Sequence, residues 1–560
     1  MLPIIWDDIF INLRVNYLYD MHMSNQGFSS LDYIVFISYC FLIIFIGLWV
    51  SRTKKGTKKT AQDYFLADKS LPWWAIGASL IAANISAEQM IGMSGSGYAI
   101  GLGIASYEWM AAITLIIVGK YFLPVFLEKK IYTMPQFLEM RYDGRVRTAM
   151  ASFWLVVYVF VNLTSVLYLG ALAMETIMGI PMNYAIMGLA IFAAVYSIYG
   201  GLKAVAWTDV VQVVFLIGGG LVTTFLALDA VSDGHGFIAG FKVLLEQAPE
   251  KFNMILHEGE LLIPDGKGGL KDAFMDLPGI SVLLGGMWIA NLSYWGFNQY
   301  IIQRGLAAKS IKEAQRGVIF AGYLKILIPL IVVIPGIAAF VLTNGSGVID
   351  PSDKAYPWLL HNYVPAGIKG LAFAALAAAI VSSLASMLNS TSTIFTMDIY
   401  KKFINKNVSD TKMVSVGRIT SFVALVVAVL SAQPLLGNLD QAFQYIQEFT
   451  GFVTPGVVVI FCFGLFWKRI TSNAALSVAI LTIPLSFLFK ILLPEIPFID
   501  RMGLVFLMLA LVAVIISYTD KQPQAKGLEL KRSMFKTDIR FNVLAIFLSV
   551  IVMVLYLLFW

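Results

Sequence analysis

The chain has 560 residues, 59% of them hydrophobic and only 13% charged, with a mean hydropathy of +0.78. Soluble chains of this size rarely combine those figures, so the composition excludes an ordinary soluble enzyme or binding domain and implies a polytopic membrane protein. The net charge of +6 gives no nucleic-acid signal, because the basic residues are sorted by membrane side rather than gathered in one patch.

Residues 1–22 lack a basic flank, a long apolar stretch and a small-residue cleavage site, so no signal peptide is expected. Beyond them, apolar runs long enough to cross about 30 Å of hydrocarbon fall near 33–51, 73–93, 103–127, 147–178, 182–199, 206–229, 278–302, 317–342, 368–398, 415–432, 450–467, 473–493, 502–518 and 541–560. That predicts an all-α integral membrane protein with 14 transmembrane helices. Laid on alternate sides, 29 of the 40 basic residues fall in one set of connections, which includes Lys129, Arg147, Lys203, Arg304 and Lys402. Nine fall in the other set, Lys251 and Lys369 among them, and Lys120 and Lys325 lie inside spans. The positive-inside rule makes the first set cytoplasmic and puts both termini outside. The two longest connections, about 230–277 and 343–367, then face outward and read as solvated loops with room for an interfacial helix.

The second run, PWWAIGASLIAANISAEQMIGMSGSG over residues 72–97, is interrupted by a polar patch containing Asn84, Ser86, Glu88 and Gln89. Such groups at mid-bilayer depth cost several kcal/mol unless they face protein, water or a polar guest. A broken helix that holds a ligand halfway across the membrane, as in secondary transporters, satisfies them. The tetrad Ala83-Asn84-Ile85-Ser86 is matched in type by Ala290-Asn291-Leu292-Ser293. These lie in spans two and seven, which run in opposite directions. Two inverted five-helix units, each led by a broken helix, would bring both tetrads to one site.

Residues 371–400 are rich in alanine and serine, and Ser382, Ser383, Ser386, Ser390 and Thr393 recur at spacings of three or four on one helix face. A small-residue face packs helices closely; Ser382 and Ser383 also offer the hard oxygens that sodium needs to replace its water. Among intramembrane ionisable residues, Glu108 suits either a polyhydroxylated guest or an ion pair with Lys325, which lies too deep to snorkel and needs a partner. Glu88 has an ion pair as its plain alternative, and Asp209 divides between a helix-start role and a cation-exit role. Amides such as Gln89, Asn291 and Gln447 grip the rim of a neutral sugar, while Tyr294 or Trp295 covers its apolar face. The histidines and the two cysteines show no metal or disulfide spacing. GSGYAIG at residues 95–101 follows a membrane helix rather than a strand, so it is no nucleotide loop.

The segments SLIAANISAEQMIGMSGSG, ASYEWM, YGGLKAVAWTDVVQ, WIANLSYWGFNQYIIQR, AALAAAIVSSLASMLNSTSTIFTMDIYKK and QAFQYIQEFTG resemble the sodium/solute symporter family, and within it the bacterial sugar symporters. The likeness runs from about residue 23 to 560. It implies a leucine-transporter-type fold with a five-plus-five inverted repeat and discontinuous helices. The division is an extracytoplasmic N-terminal segment (1–32), an extra helix (33–51), two five-helix repeats (73–229 and 278–467) and peripheral C-terminal helices (473–560). The resemblance implies sodium-coupled uptake of galactose or glucose across the bacterial inner membrane, with no enzyme chemistry, no nucleic acid, and a homodimer left open. Sodium would sit on the carbonyls of Ala82, Ile85 and Ala379 and the hydroxyls of Ser382 and Ser383, with Asp209 on its exit route. Sugar contacts would come from Gln89, Glu108, Asn291, Lys325 and Gln447. Tyr294 would stack as inner gate, and Met93, Tyr107, Trp295 and Phe443 would line the pocket. Ala111 departs from the pattern by replacing a serine near the sugar, which leaves the ranking of galactose against glucose open; the alternative reading is a sodium symporter of another polar solute such as myo-inositol.

Overall fold

A computed structural model describes residues 28–50, 52, 60–264, 269–345, 349–436, 442–520 and 527–560. Residues 1–27 and, from the charge tally, Lys54, Lys55, Lys58, Lys59, Lys267, Lys521 and Lys526 lie outside the described residues. In hydrocarbon every backbone N–H and C=O has to be satisfied within its own segment, so the apolar runs fold as helices. Among the described residues ten helices are long and apolar enough to cross a membrane, or twelve if two bent pairs each count as one span. The pairs are Ala273–Leu284 with Gly286–Phe297, bent by 80°, and Ala442–Gly451 with Thr454–Phe466, bent by 47°. The two other expected runs are also helical. One is Met182–Gly200; the other is interrupted after Trp73–Asn84.

Five elements position the site: α1 (Trp73–Asn84), α2 (Leu202–Val231), α3 (Gly286–Leu292), α4 (Ile311–Leu342) and α5 (Ile368–Ile394). Burial separates centre from rim. The most apolar stretch of the helix containing α5 is 94% buried and that of α4 72%, whereas Ser30–Val50, Ser472–Leu492 and Ile539–Leu558 reach only 17%, 22% and 28%. The latter three carry their apolar surface toward lipid.

Small residues bring the central helices close. A β-carbon on Gly77 of α1 would lie 2.7 Å from the carbonyl oxygen of Gly317 on α4, and one on Gly219 of α2 2.6 Å from Ala375 of α5. These helices therefore touch nearly backbone to backbone, the packing that small residues permit in a membrane. The alanine and serine face of α5 is thus both a packing face and, at Ser382 and Ser383, part of the site below.

The two longest connections, expected from the charge pattern to face outward, are more built than solvated loops. The first contains the helix Phe237–Gln247 and a small antiparallel hairpin, Leu262–Pro264 with Leu270–Asp272; the second contains the helix Ala355–Tyr363. Lys251 is buried, donating from Nζ to the carbonyl of Ala99 at 2.6 Å and lying 4.4 Å from the Phe340 ring centroid. Burial pushes its ammonium pKa down to about 8. Lys369 is likewise buried, bonded to the His361 carbonyl at 2.9 Å. Both were counted as loop charges by the sequence pattern, yet they tie the outer segments to the helix bundle.

Candidate functional site

The first break occurs where the polar patch predicts it. α1 ends as Ile85 turns extended (φ −74°, ψ 105°). The Ser86 N–H, which a continuous helix would direct to the Ala82 carbonyl, donates instead to Gln89 Oε1 at 3.0 Å, and the Ser86 hydroxyl donates to the same oxygen at 2.9 Å. Ser86 Oγ in turn accepts from the Glu88 N–H at 3.0 Å. The chain then continues as a wide π-helical turn, Glu88–Met93, and a short helix, Ser94–Ala99. The break thus caps itself with its own serine and glutamine, and it releases carbonyls at the end of α1. One of them, Ala83, accepts the Ser383 hydroxyl of α5 at 3.1 Å.

The second break lies elsewhere than expected. α3 starts at the 80° bend and stays regular through Asn291, whose Nδ2 donates to the Met287 carbonyl at 3.2 Å. The helix widens at Ser293–Phe297 and gives way only at Asn298, which is extended (φ −76°, ψ 125°) before Gln299–Leu306 resumes. The unwinding is therefore displaced from the Ala290–Ser293 tetrad. A wide turn tolerates an unshared carbonyl while keeping the backbone helical, so the tetrad need not unwind to face a cavity.

Between the two breaks is a cavity of about 120 Å³, room for several waters or a small polar guest. Gln89, Tyr107, Glu108, Asn291, Tyr294, Trp295, Lys325, Phe443 and Gln447 all line it. Met93 and Ala111 are buried but do not form its wall. The Tyr107 and Phe443 rings meet edge to face at 5.2 Å.

The polar groups on this wall are already organised. Lys325 Nζ is paired with Glu108 and also donates to Asn84 Oδ1, and it lies 4.9 Å from the Trp295 ring centroid. The deep lysine thus has the partner that its position demanded. Asn84 Nδ2 donates to the Tyr294 hydroxyl at 2.9 Å, and the Tyr300 hydroxyl donates to that same oxygen. Among the described residues Glu88 forms no ion pair with a lysine or arginine; it accepts from the Ser165 hydroxyl.

The cation-side residues Ala82, Ile85, Ala379, Ser382 and Ser383 are all fully buried. Asp209 lies in the third turn of α2 and is buried, so it does not serve the helix start. It accepts from the Ser382 hydroxyl at 2.6 Å and from the Ser79 hydroxyl of α1, joining three helices. Arg304 stands beside it, fully buried, with its guanidinium 3.6 Å from the Asp209 carboxylate. The charge pattern placed Arg304 in a cytoplasmic connection. The available clue was Gln299 followed one turn later by the adjacent Gln303 and Arg304, polar residues that are all buried.

Interrupted helices around a polar cavity in a multi-pass helical bundle define a secondary transporter. The sodium:solute symporter family model matches residues 64–482. The chain is 55% identical over 556 residues to the sodium/glucose cotransporter of Vibrio parahaemolyticus, an alignment covering 96% of this chain and all of that one. It is 34% identical to human sodium/glucose cotransporter 4 over 81% of this chain and 68% of that one. It is also 34% identical to mouse sodium/myo-inositol cotransporter 2, over 81% and 69%. A substrate-bound, outward-open sodium-coupled sialic acid symporter superimposes with a TM-score of 0.76 at 24% identity, covering 89% of this chain and 100% of that one, and so shares its fold. The chain belongs to the sodium/solute symporter family. It is a multi-pass membrane protein, and sodium is its coupling ion.

Proposed function

We propose that the protein carries a hexose, glucose or galactose, into a bacterial cell together with sodium by alternating access. The observation that carries this reading is the cavity wall between the helix breaks. It sets Gln89, Asn291, Gln447, Glu108 and Lys325, which give and accept hydrogen bonds, beside the Tyr294 and Trp295 rings. That combination suits a neutral ring with hydroxyls at its edge and C–H groups on its face. It is supported by the 55% identity to a protein named as a sodium/glucose cotransporter. The likeness to sodium/myo-inositol cotransporters keeps that cyclic polyol as the second candidate solute.

In this reading all 14 apolar segments cross the inner membrane as two inverted five-helix repeats, with both termini outside. Sodium is held by the carbonyls of Ala82, Ile85 and Ala379 and the hydroxyls of Ser382 and Ser383. The support is the freed end of α1 and its hydrogen bond to Ser383. Asp209 receives the ion as it leaves toward the cytoplasm. One inward sodium is worth about 2.3 kcal/mol at 100 mV, enough for roughly 40-fold accumulation of sugar from voltage alone. Coupling needs the cation to stabilise the arrangement of α1 that also binds sugar.

The test is uptake of labelled glucose and galactose into proteoliposomes, with a sodium gradient exchanged for potassium and with unlabelled myo-inositol as competitor. Sodium-dependent accumulation that falls at least tenfold in Gln447→Ala supports the reading. Equal accumulation on potassium refutes the driving ion, and complete displacement by myo-inositol with no hexose uptake refutes the solute.

A further inference from the structure

Arg304 has no part in sodium or sugar binding as described above, yet it is the centre of a polar network. It lies on Gln299–Leu306, directly after the second break, and is completely buried. Its Nε donates to the Ser79 hydroxyl at 3.1 Å, Nη1 to the Tyr300 carbonyl and Nη2 to the Ser386 hydroxyl. A buried guanidinium is costly unless a counter-charge accompanies it, and Asp209 at 3.6 Å is that counter-charge.

Asp209 has a second use. A serine hydroxyl that donates to a carboxylate keeps its lone pairs for a cation and becomes a better ligand, as partners behind the coordinating groups of metal sites do. Ser382 donates to Asp209 in this way. A sodium ion on Ser382 and the Arg304 guanidinium therefore share one carboxylate.

In the other direction the contacts run on without interruption. Arg304 holds the Tyr300 carbonyl, the Tyr300 hydroxyl donates to Tyr294, Asn84 donates to Tyr294, and Lys325 joins Asn84 to Glu108. Each step from Ser382 to Glu108 is a hydrogen bond, an ion pair or a single residue, and the path crosses the second break and touches the end of α1 at the first.

We propose that Arg304 is the positioning residue that couples the two sites, a tethered cation that shares Asp209 with the transported sodium. Without sodium, the guanidinium is the sole counter-charge of Asp209 among the described residues. When sodium arrives, the two cations repel, and the guanidinium shifts its weight to the Tyr300 carbonyl and Ser386. Tyr300 carries the shift to Tyr294 and Asn84, which face the sugar. The proposal rests on the sodium-coupled reading above.

The test measures sodium half-saturation and sugar affinity with and without sodium, on purified full-length protein in nanodiscs. In Arg304→Met the carboxylate loses its rival cation, so sodium half-saturation falls about tenfold. The ratio of sugar affinities with and without sodium falls toward one. Arg304→Lys keeps a charge near Asp209 but cannot reach Ser79, Tyr300 and Ser386 together, so half-saturation stays within about threefold while the affinity ratio drops. Should Arg304→Met not fold, Arg304→Met with Asp209→Asn removes both charges and is read for the same ratio. Unchanged or weaker sodium binding in Arg304→Met, or an unchanged ratio in Arg304→Lys, overturns the proposal. A merely structural arginine would give the latter, lowering both affinities together. A ratio of one in the unsubstituted protein instead overturns the sodium-coupled reading itself.

Discussion

Lys325 and Glu108 form an ion pair in the interior of the bundle, with side chains only 1% and 3% exposed, and the same ammonium reaches Asn84 at the end of α1. The pair therefore belongs at once to the cavity wall and to the helix break. Neither charge can be withdrawn without leaving the other buried and uncompensated.

That arrangement predicts non-additive losses. Lys325→Met and Glu108→Gln should each lower stability by about 3 kcal/mol, because each leaves one uncompensated buried charge. The double substitution should recover most of that loss, since no charge then remains unpaired. Thermal unfolding of the purified proteins in one lipid composition measures this. Losses that simply add in the double variant would show that the two groups do not depend on each other.

Ser383 gives a separable prediction for the cation. Its hydroxyl spans from α5 to the Ala83 carbonyl, so Ser383→Ala removes one hard oxygen and leaves the sugar wall intact. Sodium half-saturation should rise tenfold or more, equivalent to about 1.4 kcal/mol. Sugar affinity at saturating sodium should stay within a factor of two. A matching loss in sugar affinity would place Ser383 in general packing instead.

A third prediction concerns the cluster around Glu139, a residue that lies outside the spans, between Leu102–Glu128 and Gly144–Met178. Burial by itself would raise the Glu139 pKa, but hydrogen bonds from Lys402 and Arg147 and their charges outweigh it and hold the carboxyl below its usual 4.5. Arg147 also pairs with Asp398 at 2.7 Å, so the cluster fastens the start of Gly144–Met178 to the extension of α5. A carboxyl depressed in the folded state stabilises fully above its unfolded pKa, and that contribution is lost as pH falls through the folded value. Stability should therefore decline below about pH 4.5, and Glu139→Gln should flatten that part of the profile. Melting temperatures across pH 3.5–7 decide the matter; parallel curves for the two proteins would exclude Glu139 as the cause.

How much of this was legible in the sequence depends on the contrast each residue makes with its neighbours. The first break was readable because Asn84, Ser86, Glu88 and Gln89 interrupt an apolar run, and Ser86 and Gln89 do cap it. Lys325 announced its need for a partner in the same way, and Glu108 was the named candidate. The second break was misplaced because Ser293–Phe297 widens into a π turn, a backbone change that leaves no mark on composition. Arg304, Lys251 and Lys369 were counted as loop charges because a tally by membrane side cannot see which cations fold inward. The hairpin in the first long connection was missed since its strands are short and depend on packing against the bundle, whereas the helix before it had been allowed for.

The last prediction concerns how α5 is held in place. Asp32, near the start of the peripheral helix Ser30–Val50, is fully buried. Its Oδ1 accepts from the backbone N–H groups of Gly367 and Gly370 at 2.7 and 2.6 Å, and its Oδ2 from the backbone and hydroxyl of Ser29 at 2.9 and 2.6 Å. A carboxylate from one helix thus caps the N-terminus of another, satisfying donors that the first turn of α5 leaves open and complementing its dipole. A β-carbon on Gly370 would lie 2.7 Å from the Asp32 backbone, so the two segments meet too closely for water to replace the lost acceptor. Asp32→Ala strands the buried Gly370 N–H and the half-buried Gly367 N–H and should cost about 2–4 kcal/mol, with Asp32→Asn keeping roughly half. The sodium half-saturation of whatever protein still folds should not change, because Ser382 and Ser383 lie about four turns further along α5. Thermal melts read beside sodium titrations test both halves of the claim. A shift in sodium affinity without loss of stability would mean that the cap sets the position of the serines rather than anchoring the peripheral helix.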